Sequence, residues 1–276
     1  MQELLNNTGI GHMKNNSTPI SIKNVVFNNY VIIYSSCSDI YFYDRNNKLV
    51  FFLPCCNIVM LEKRTCVNIK LVRRKPHGDL YQSFLIGENK IKELLAIINP
   101  DKNFEKNELL KPRKENDNFF CIKEKHTGIQ LFELLKKSSN EGDIYILAYL
   151  FCLCGNRREI TASLLKNSFK TFSEQIKDII NGDISKKWRL SDIAEKLNLS
   201  DIAVRKKLEA ESLSFNKIMQ NVKMSAAIYY LLFEQHHVNK IADMLGIASA
   251  SYFIRLFKEH YGITPKQLLI GLRDNV

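Results

Sequence analysis

Trp188-Arg-Leu-Ser191-Asp-Ile-Ala194-Glu-Lys-Leu197-Asn-Leu-Ser200 is the stretch on which the reading of this chain turns. Leu190, Ile193, Ala194 and Leu197 fall at helical spacing and make one apolar face. Ser191 is the expected N-cap, with Glu195 in the following turn, and Ala194 is small enough for a second helix to cross closely. Asn198 then supplies a turn. Ser200 caps a second helix over Asp201 to Glu211, whose Ile202, Val204 and Leu208 are apolar and whose Arg205, Lys206 and Lys207 are left for solvent or DNA. Two short helices joined by a tight turn, the second with a basic outer side, make the layout of a helix-turn-helix with its recognition helix.

The pattern recurs. Val238-Asn-Lys-Ile241-Ala242-Asp-Met-Leu-Gly246-Ile247 aligns with Leu190 to Leu199, repeating the Ile-Ala pair and the four-residue step to the turn. Ser249 caps a further helix, Ala250 to Tyr261, on which Tyr252, Phe253, Leu256 and Phe257 mix core and groove-edge positions and Arg255 and Lys258 are exposed. Repetition of a whole supersecondary unit is a strong signal. Between the units, Phe215 to Leu232 reads as one helix, with Phe215, Ile218, Met219, Val222, Ala226, Tyr229 and Tyr230 at helical spacing. At about 1.5 Å per residue it spans roughly 27 Å, a strut suited to setting two recognition helices into successive major grooves about 34 Å apart.

Upstream the period changes. Tyr30 to Tyr34, Ile40 to Tyr43, Leu49 to Leu53, Ile58 to Leu61, Cys66 to Val72 and Leu80 to Ile86 are short β-branched and aromatic runs bounded mostly by Asn, Asp, Gly or Pro. Arg45-Asn46-Asn47-Lys48 reads as a hairpin turn, and the set as a small antiparallel sheet or barrel. Ile91, Leu94, Leu95 and Ile98 then mark a helix ended by Asn99-Pro100, Asp101 to Asn118 a charged loop or lid, and Ile129 to Leu135 and Ile144 to Leu153 two further helices. Those two serve either as cover for the sheet or as a dimer seam. Residues 1–19 read as a flexible arm, 20–168 as a β-rich regulatory domain, and 169–276 as a DNA-binding domain with helix-turn-helix units near 188–211 and 238–261. A helix carrying Ile176, Ile179 and Ile180 and stopped by Gly182 opens the last domain. The fold class expected is α+β: an N-terminal β-rich, cupin-like domain with trailing helices, then an all-α domain of two such units joined by a long helix.

The chain carries a formal charge of +11, which suits a polyanionic partner because neutralised phosphates release counterions. Residues 170–276 hold 16 Lys+Arg against 12 Asp+Glu, +4, so +7 belongs to the first 169 residues. The basicity equally reflects lysine usage in an AT-rich genome, so the spacing and not the charge carries the DNA assignment. No secretory leader and no run near 18 apolar residues is present, which places the chain in the cytoplasm. Cys37, Cys55, Cys56, Cys66, Cys121, Cys152 and Cys154 lie mostly in apolar runs and read as buried, reduced thiols with no metal-ligand spacing. His12, His77, His126, His236, His237 and His260 form no catalytic or zinc motif, and no phosphate loop or nucleophile elbow occurs, so neither an enzyme nor a cofactor is expected.

Ser249-Ala-Ser251-Tyr252-Phe253-Ile-Arg255-Leu-Phe257-Lys258 followed by Gly262-Ile-Thr264-Pro265 resembles the C-terminal signature of the AraC/XylS family of transcription regulators, over roughly residues 170 to 272. Within that family the chain is most similar to enteric virulence activators of the Rns and ToxT type. The resemblance implies bacterial activation of pilus, fimbrial or toxin genes from AT-rich promoters, with double-stranded DNA and RNA polymerase as partners and a homodimer as an option. It carries base-edge contacts to Ile202, Arg205 and Lys206 in the first recognition helix and to Ala250, Ser251, Tyr252, Ile254 and Arg255 in the second. Arginine can donate twice to guanine, so Arg205 and Arg255 lead. Lys187, Lys207 and Lys258 fall to phosphate or to a solvated face. Ile247 and Leu268 depart from the family's usual aromatics but stay apolar, while Trp188, Phe253 and Phe257 are expected in the core. The resemblance further implies a small effector, a fatty acid or bicarbonate, in the β domain. Lys23, or Arg73, Arg74 and Lys75 with His77, offer positive charge for it, against the plainer reading of a solvated loop. The rival function is a co-regulator or anti-activator working through protein contacts.

Overall fold

The computed structural model describes residues 18–98, 115–138, 142–155, 157–232 and 234–273. The expected arm, up to residue 17, and most of the expected loop or lid, from residue 99 to 114, lie outside the described residues.

Among the described residues, eight strands form two antiparallel sheets. The first orders β1 (Ile20–Val26), β6 (Cys66–Arg73), β3 (Ser38–Tyr43) and β4 (Leu49–Leu53); the second orders β7 (Gln82–Ile86), β2 (Tyr30–Tyr34), β5 (Ile58–Leu61) and β8 (Phe119–Cys121). The turn at 45–48 joins β3 to β4 as expected, with Asn47 at φ +60 and the Asp44 carboxylate accepting the backbone N–H groups of Asn46 and Lys48, each at 2.8 Å. β2 is apolar throughout because both its faces are buried. Val31 and Ile33 meet Ile40, Phe42 and Leu71 of the first sheet, whereas Tyr30 and Ile32 face a helical layer.

That layer is α1 (Glu88–Ile98), α2 (Lys125–Lys137), α3 (Asp143–Leu153) and α4 (Arg157–Asn167). Leu94, Phe132, Leu135, Leu147, Leu150 and Leu164 close over the second sheet. The paired apolar helices are therefore sheet cover on one side; on the other, Leu134 and Tyr145 are 55% and 71% exposed.

The C-terminal half holds α5 (Phe172–Gly182), α6 (Leu190–Lys196), α7 (Asp201–Ala210), α8 (Phe215–Leu232), α9 (Val238–Met244), α10 (Ala250–Tyr261) and α11 (Pro265–Arg273). It has two cores, and α8 belongs to both: Ile218 and Val222 pack with Ile176, Trp188, Ile193 and Val204, whereas Met224, Ala227 and Leu231 pack with Ile241, Phe253 and Phe257. Ile247 and Leu268 are buried in the second core, so the two departures from the family pattern still pack.

The halves meet along two seams. At a bulge in β1, Asn24 takes φ +52, and its side-chain amide donates to the His260 carbonyl at 2.7 Å. Ile22 packs beside Ile263 and Leu272, so helices cover what would be a free sheet edge. At the second seam, Lys63 and Arg64 after β5 hold Glu174 of α5.

Two expectations are corrected. Ser191 is not an N-cap: the helix starts at Leu190, and Asp192 accepts the Arg189 N–H at 2.9 Å, a carboxylate two residues into the helix doing the capping. The seven cysteines are free, yet only Cys37 and Cys154 are buried, since Cys121 and Cys152 point outward from β8 and α3. Position in an apolar run does not fix which face a side chain takes.

Candidate nucleic-acid interface

The two helix-turn-helix units are built alike. In the first, Leu199 N–H donates to Ala194 O at 2.9 Å around Asn198 at φ +51; in the second, Ile247 N–H donates to Ala242 O at 2.9 Å around Gly246 at φ +61. Each turn thus places one residue in the left-handed region, which asparagine tolerates and glycine favours. Ala194 and Ala242 are buried where the helices cross. Ser200 Oγ accepts the Ala203 N–H and Ser249 Oγ the Tyr252 N–H, both at 3.2 Å, so each second helix starts on a serine cap as expected.

The caps fix which faces turn out. On α7, Val204 and Leu208 point inward, leaving Ile202 67% exposed together with Arg205 and Lys206. On α10, Phe253 and Phe257 are fully buried, and Ser251, Tyr252, Ile254, Arg255 and Lys258 form the outer face, with Ala250 half-buried. The Arg255 guanidinium lies 4.9 Å over the Tyr252 ring and 3.8 Å from Glu259, an exposed pair that contributes little and gives way easily. Lys187 is exposed beside the first unit. Lys207 turns back, its ammonium 5.1 Å over the Phe172 ring of α5. Trp188 is buried and donates from Nε1 to Asp183 O at 2.8 Å, with Lys186 4.2 Å over its ring.

The units are also tied to each other. A Cβ at Gly246 would overlap the Ser185 carbonyl oxygen, so the second turn lies directly on the segment leading into the first unit. Lys223 of α8 donates to Leu245 O at 2.7 Å, and burial lowers its pKa.

The residues considered for effector binding are not brought together. Lys23 lies in the middle of β1 against Gly262, whereas Arg73 lies beyond the Ile20–Leu71 end of the β1–β6 pairing. Arg73 is buried and donates to Lys75 O and Gly78 O at 3.2 and 3.0 Å; Arg74 pairs with Asp39 at 2.6 Å; Lys75 reaches Cys56 Sγ at 2.7 Å; and the His77 carbonyl accepts from the Cys37 thiol. A cleft of about 540 Å³ between the halves is lined by charges of both signs: Lys63 from the β domain with Lys170 and Lys177 from the start of the helical half, and the carboxylates of Glu88, Glu174, Asp178 and Glu234, with Tyr229 and Tyr230 of α8. Burial holds Lys177 below the usual lysine range. These lysines lie outside the motifs, and no local signal marks them.

A family model described as a helix-turn-helix domain matches residues 193–269. The transcriptional activator FapR of Escherichia coli is 35% identical over 259 residues, covering 93% of this chain and 98% of its own. The virulence regulon transcriptional activator VirF of Shigella flexneri is 32% identical over 252 residues, 91% of this chain and 95% of its own. A 1.65 Å structure of ToxT from Vibrio cholerae superposes with a TM-score of 0.69 at 20% identity, over 93% of this chain and 96% of that one. Wild-type ToxT bound to an unsaturated fatty acid superposes at 0.60 with 17% identity, over 93% and 92%.

Proposed function

The chain belongs to the AraC-type family of helix-turn-helix transcriptional activators, and from that premise we propose that it binds promoter DNA sequence-specifically and activates virulence genes through RNA polymerase. The observation that carries this reading is the duplicated unit: two serine-capped helices present Arg205 and Arg255 outward from one two-core body. Ile202, Lys206, Ala250, Ser251, Tyr252 and Ile254 complete the base-reading faces. Lys187, Lys258 and, after rotating off Phe172, Lys207 hold phosphate. AT-rich promoters suit this set, because Ile202 and Tyr252 offer apolar surface to thymine methyls.

For a carboxylate effector, a fatty acid or bicarbonate, the cleft between the halves is the candidate site. Lys63, Lys170 and Lys177 line it among the carboxylates of Glu88, Glu174, Asp178 and Glu234, so a bound carboxylate would compete with the ion pairs that Lys63 and Lys170 already make, and a ligand touching both halves there shifts their relative placement only by binding one arrangement more tightly. The exposed Leu134 and Tyr145 surface on α2 and α3 is available as a homodimer seam.

Selection of genomic fragments by purified protein, with and without decanoate, palmitoleate and bicarbonate, tests the reading. Enrichment of AT-rich promoter fragments about two helical turns long is the expected result, with effector-dependent recovery. No enrichment under any condition favours the co-regulator that works through protein contacts.

A further inference from the structure

The turn between β4 and β5 carries two adjacent thiols, Cys55 and Cys56, with Sγ atoms 3.6 Å apart. Both are partly exposed. Cys56 takes φ +59, a backbone conformation uncommon for a side-chain-bearing residue, and its sulfur lies 2.7 Å from the Lys75 ammonium in the loop after β6. That loop is anchored: Arg74 pairs with Asp39 at 2.6 Å, and Asp39 also accepts the Cys55 N–H at 2.8 Å. A left-handed turn residue and an anchored cation therefore bring one sulfur to an ammonium and leave a second sulfur beside it.

We propose that Cys55 and Cys56 form a hydroperoxide-reactive thiol pair, in which Cys56, held against the Lys75 ammonium, is the attacking sulfur and Cys55 the resolving one. The electrostatics divide the pair in this sense. Burial raises the Cys56 pKa, but hydrogen bonds from Lys75 and Cys55 and the charges of Lys75 and of Lys125 on α2 outweigh it, leaving the thiol below its ordinary value. Cys55 is pushed up to about 11 by burial and by Cys56, with Asp39 adding to the rise. Tyr34 faces both sulfurs from β2 and itself titrates above the usual range, through burial and their negative charge, so it is neutral near pH 7. One sulfur is thereby made easier to ionise than its neighbour.

In the first step the Cys56 thiolate attacks a hydroperoxide oxygen. The O–O bond breaks, the alkoxide or hydroxide leaves and takes a solvent proton, and Cys56 becomes a sulfenic acid. In the second step the Cys55 sulfur attacks Cys56, its proton goes with the departing hydroxyl as water, and the disulfide forms. Two thiols lose two electrons, and the hydroperoxide becomes an alcohol, or water, plus water. Adjacent Cα atoms lie about 3.8 Å apart, closer than disulfides prefer, so this bridge is strained and easily reduced again. Its formation removes the thiolate that Lys75 holds.

The test is peptide mapping by mass spectrometry of the full-length protein after graded hydrogen peroxide treatment at pH 7. The Cys55–Cys56 peptide is expected to lose two hydrogens before Cys121 or Cys152 changes, although both of those are exposed. In Cys55→Ser, Cys56 should accumulate as a sulfenic acid trapped by dimedone. In Lys75→Gln, alkylation of Cys56 at pH 7 should slow by about tenfold and its pH profile move up, with the Cys152 rate unchanged as the measure of an intact fold. If Cys56 oxidises no faster than Cys152 in the unmodified sequence, the proposal is overturned whatever the variants do. An unchanged Cys56 rate in Lys75→Gln overturns the role of the lysine.

Discussion

Arg64 grips Glu174 with two donors, Nη2 at 2.6 Å from one carboxylate oxygen and Nε at 3.1 Å from the other, and so fastens the β domain to the first helix of the DNA-binding half. Lys63 adds an ammonium at 2.9 Å, and the Thr171 N–H adds a hydrogen bond at 3.0 Å. Burial raises the Glu174 pKa, but these four donors outweigh it and hold the group at about 2.

Glu174→Gln should therefore cost about 2–3 kcal/mol in urea unfolding at pH 7, because it leaves two part-buried cations short of a partner. The acid side has a fixed sign. Between the ordinary carboxylate value and about 2 the unfolded chain binds more protons than the folded one, so this contribution is present above about 4.5 and lost as pH falls to 2. A Gln variant with the same slope as the parent over that window would remove Glu174 from the account.

His260 titrates in a second window. It is buried, its Nδ1 has no hydrogen-bond partner among the described residues, and burial followed by the Lys217 charge lowers its pKa to about 4. Protonation is costlier in the folded state, so stability falls as pH drops from about 6.5 to 4, by up to about 3 kcal/mol. His260→Gln should flatten thermal stability over that interval. An unchanged pH dependence in the variant would show that other groups carry it.

The two turns should respond unequally to alanine. Asn198→Ala imposes a left-handed backbone on alanine and costs about 1 kcal/mol. Gly246→Ala imposes the same conformation and in addition drives a methyl group into the Ser185 carbonyl, so its loss should be at least about twice as large. Equal midpoints in urea unfolding would mean that the Ser185 segment yields freely.

On DNA, Arg255→Ala should relax the preference at one base position by about 1–3 kcal/mol, whereas Lys258→Ala should weaken all sequences alike and lower the salt slope by about 1. Competition binding over single-base variants of a selected site separates the two. A uniform loss for both would leave Arg255 as a phosphate ligand.

The C-terminal half was legible because its signals are local. Helical spacing, serine caps and a left-handed turn residue all fall within a dozen positions, and α8 spans the expected residues 215–232. Helix α4 escaped notice because its stripe is broken: Ser163 and Asn167 are buried but polar, bonded to the Tyr30 hydroxyl at 2.6 and 3.1 Å. The bulge at Asn24 hides the alternation of β1, and β8 is three residues long. The capping of α6 was misassigned because Ser191 is the residue type that usually caps. The recognition faces followed from spacing and resemblance, but the cleft lysines did not, since Lys63 and Lys177 are neighbours only after the halves dock.

Because α8 is built into both cores, and the Gly246 turn rests on Ser185, the two helix-turn-helix units are packed into one body. With both units reading DNA as proposed, such a body would act as a ruler with a set phase. Each base pair inserted between its two half-sites would move the far one by about 3.4 Å and turn it by about 34° around the duplex axis, beyond what side chains can follow. On that reading the spacing between two contact points on a promoter would be as much a part of its address as the bases themselves.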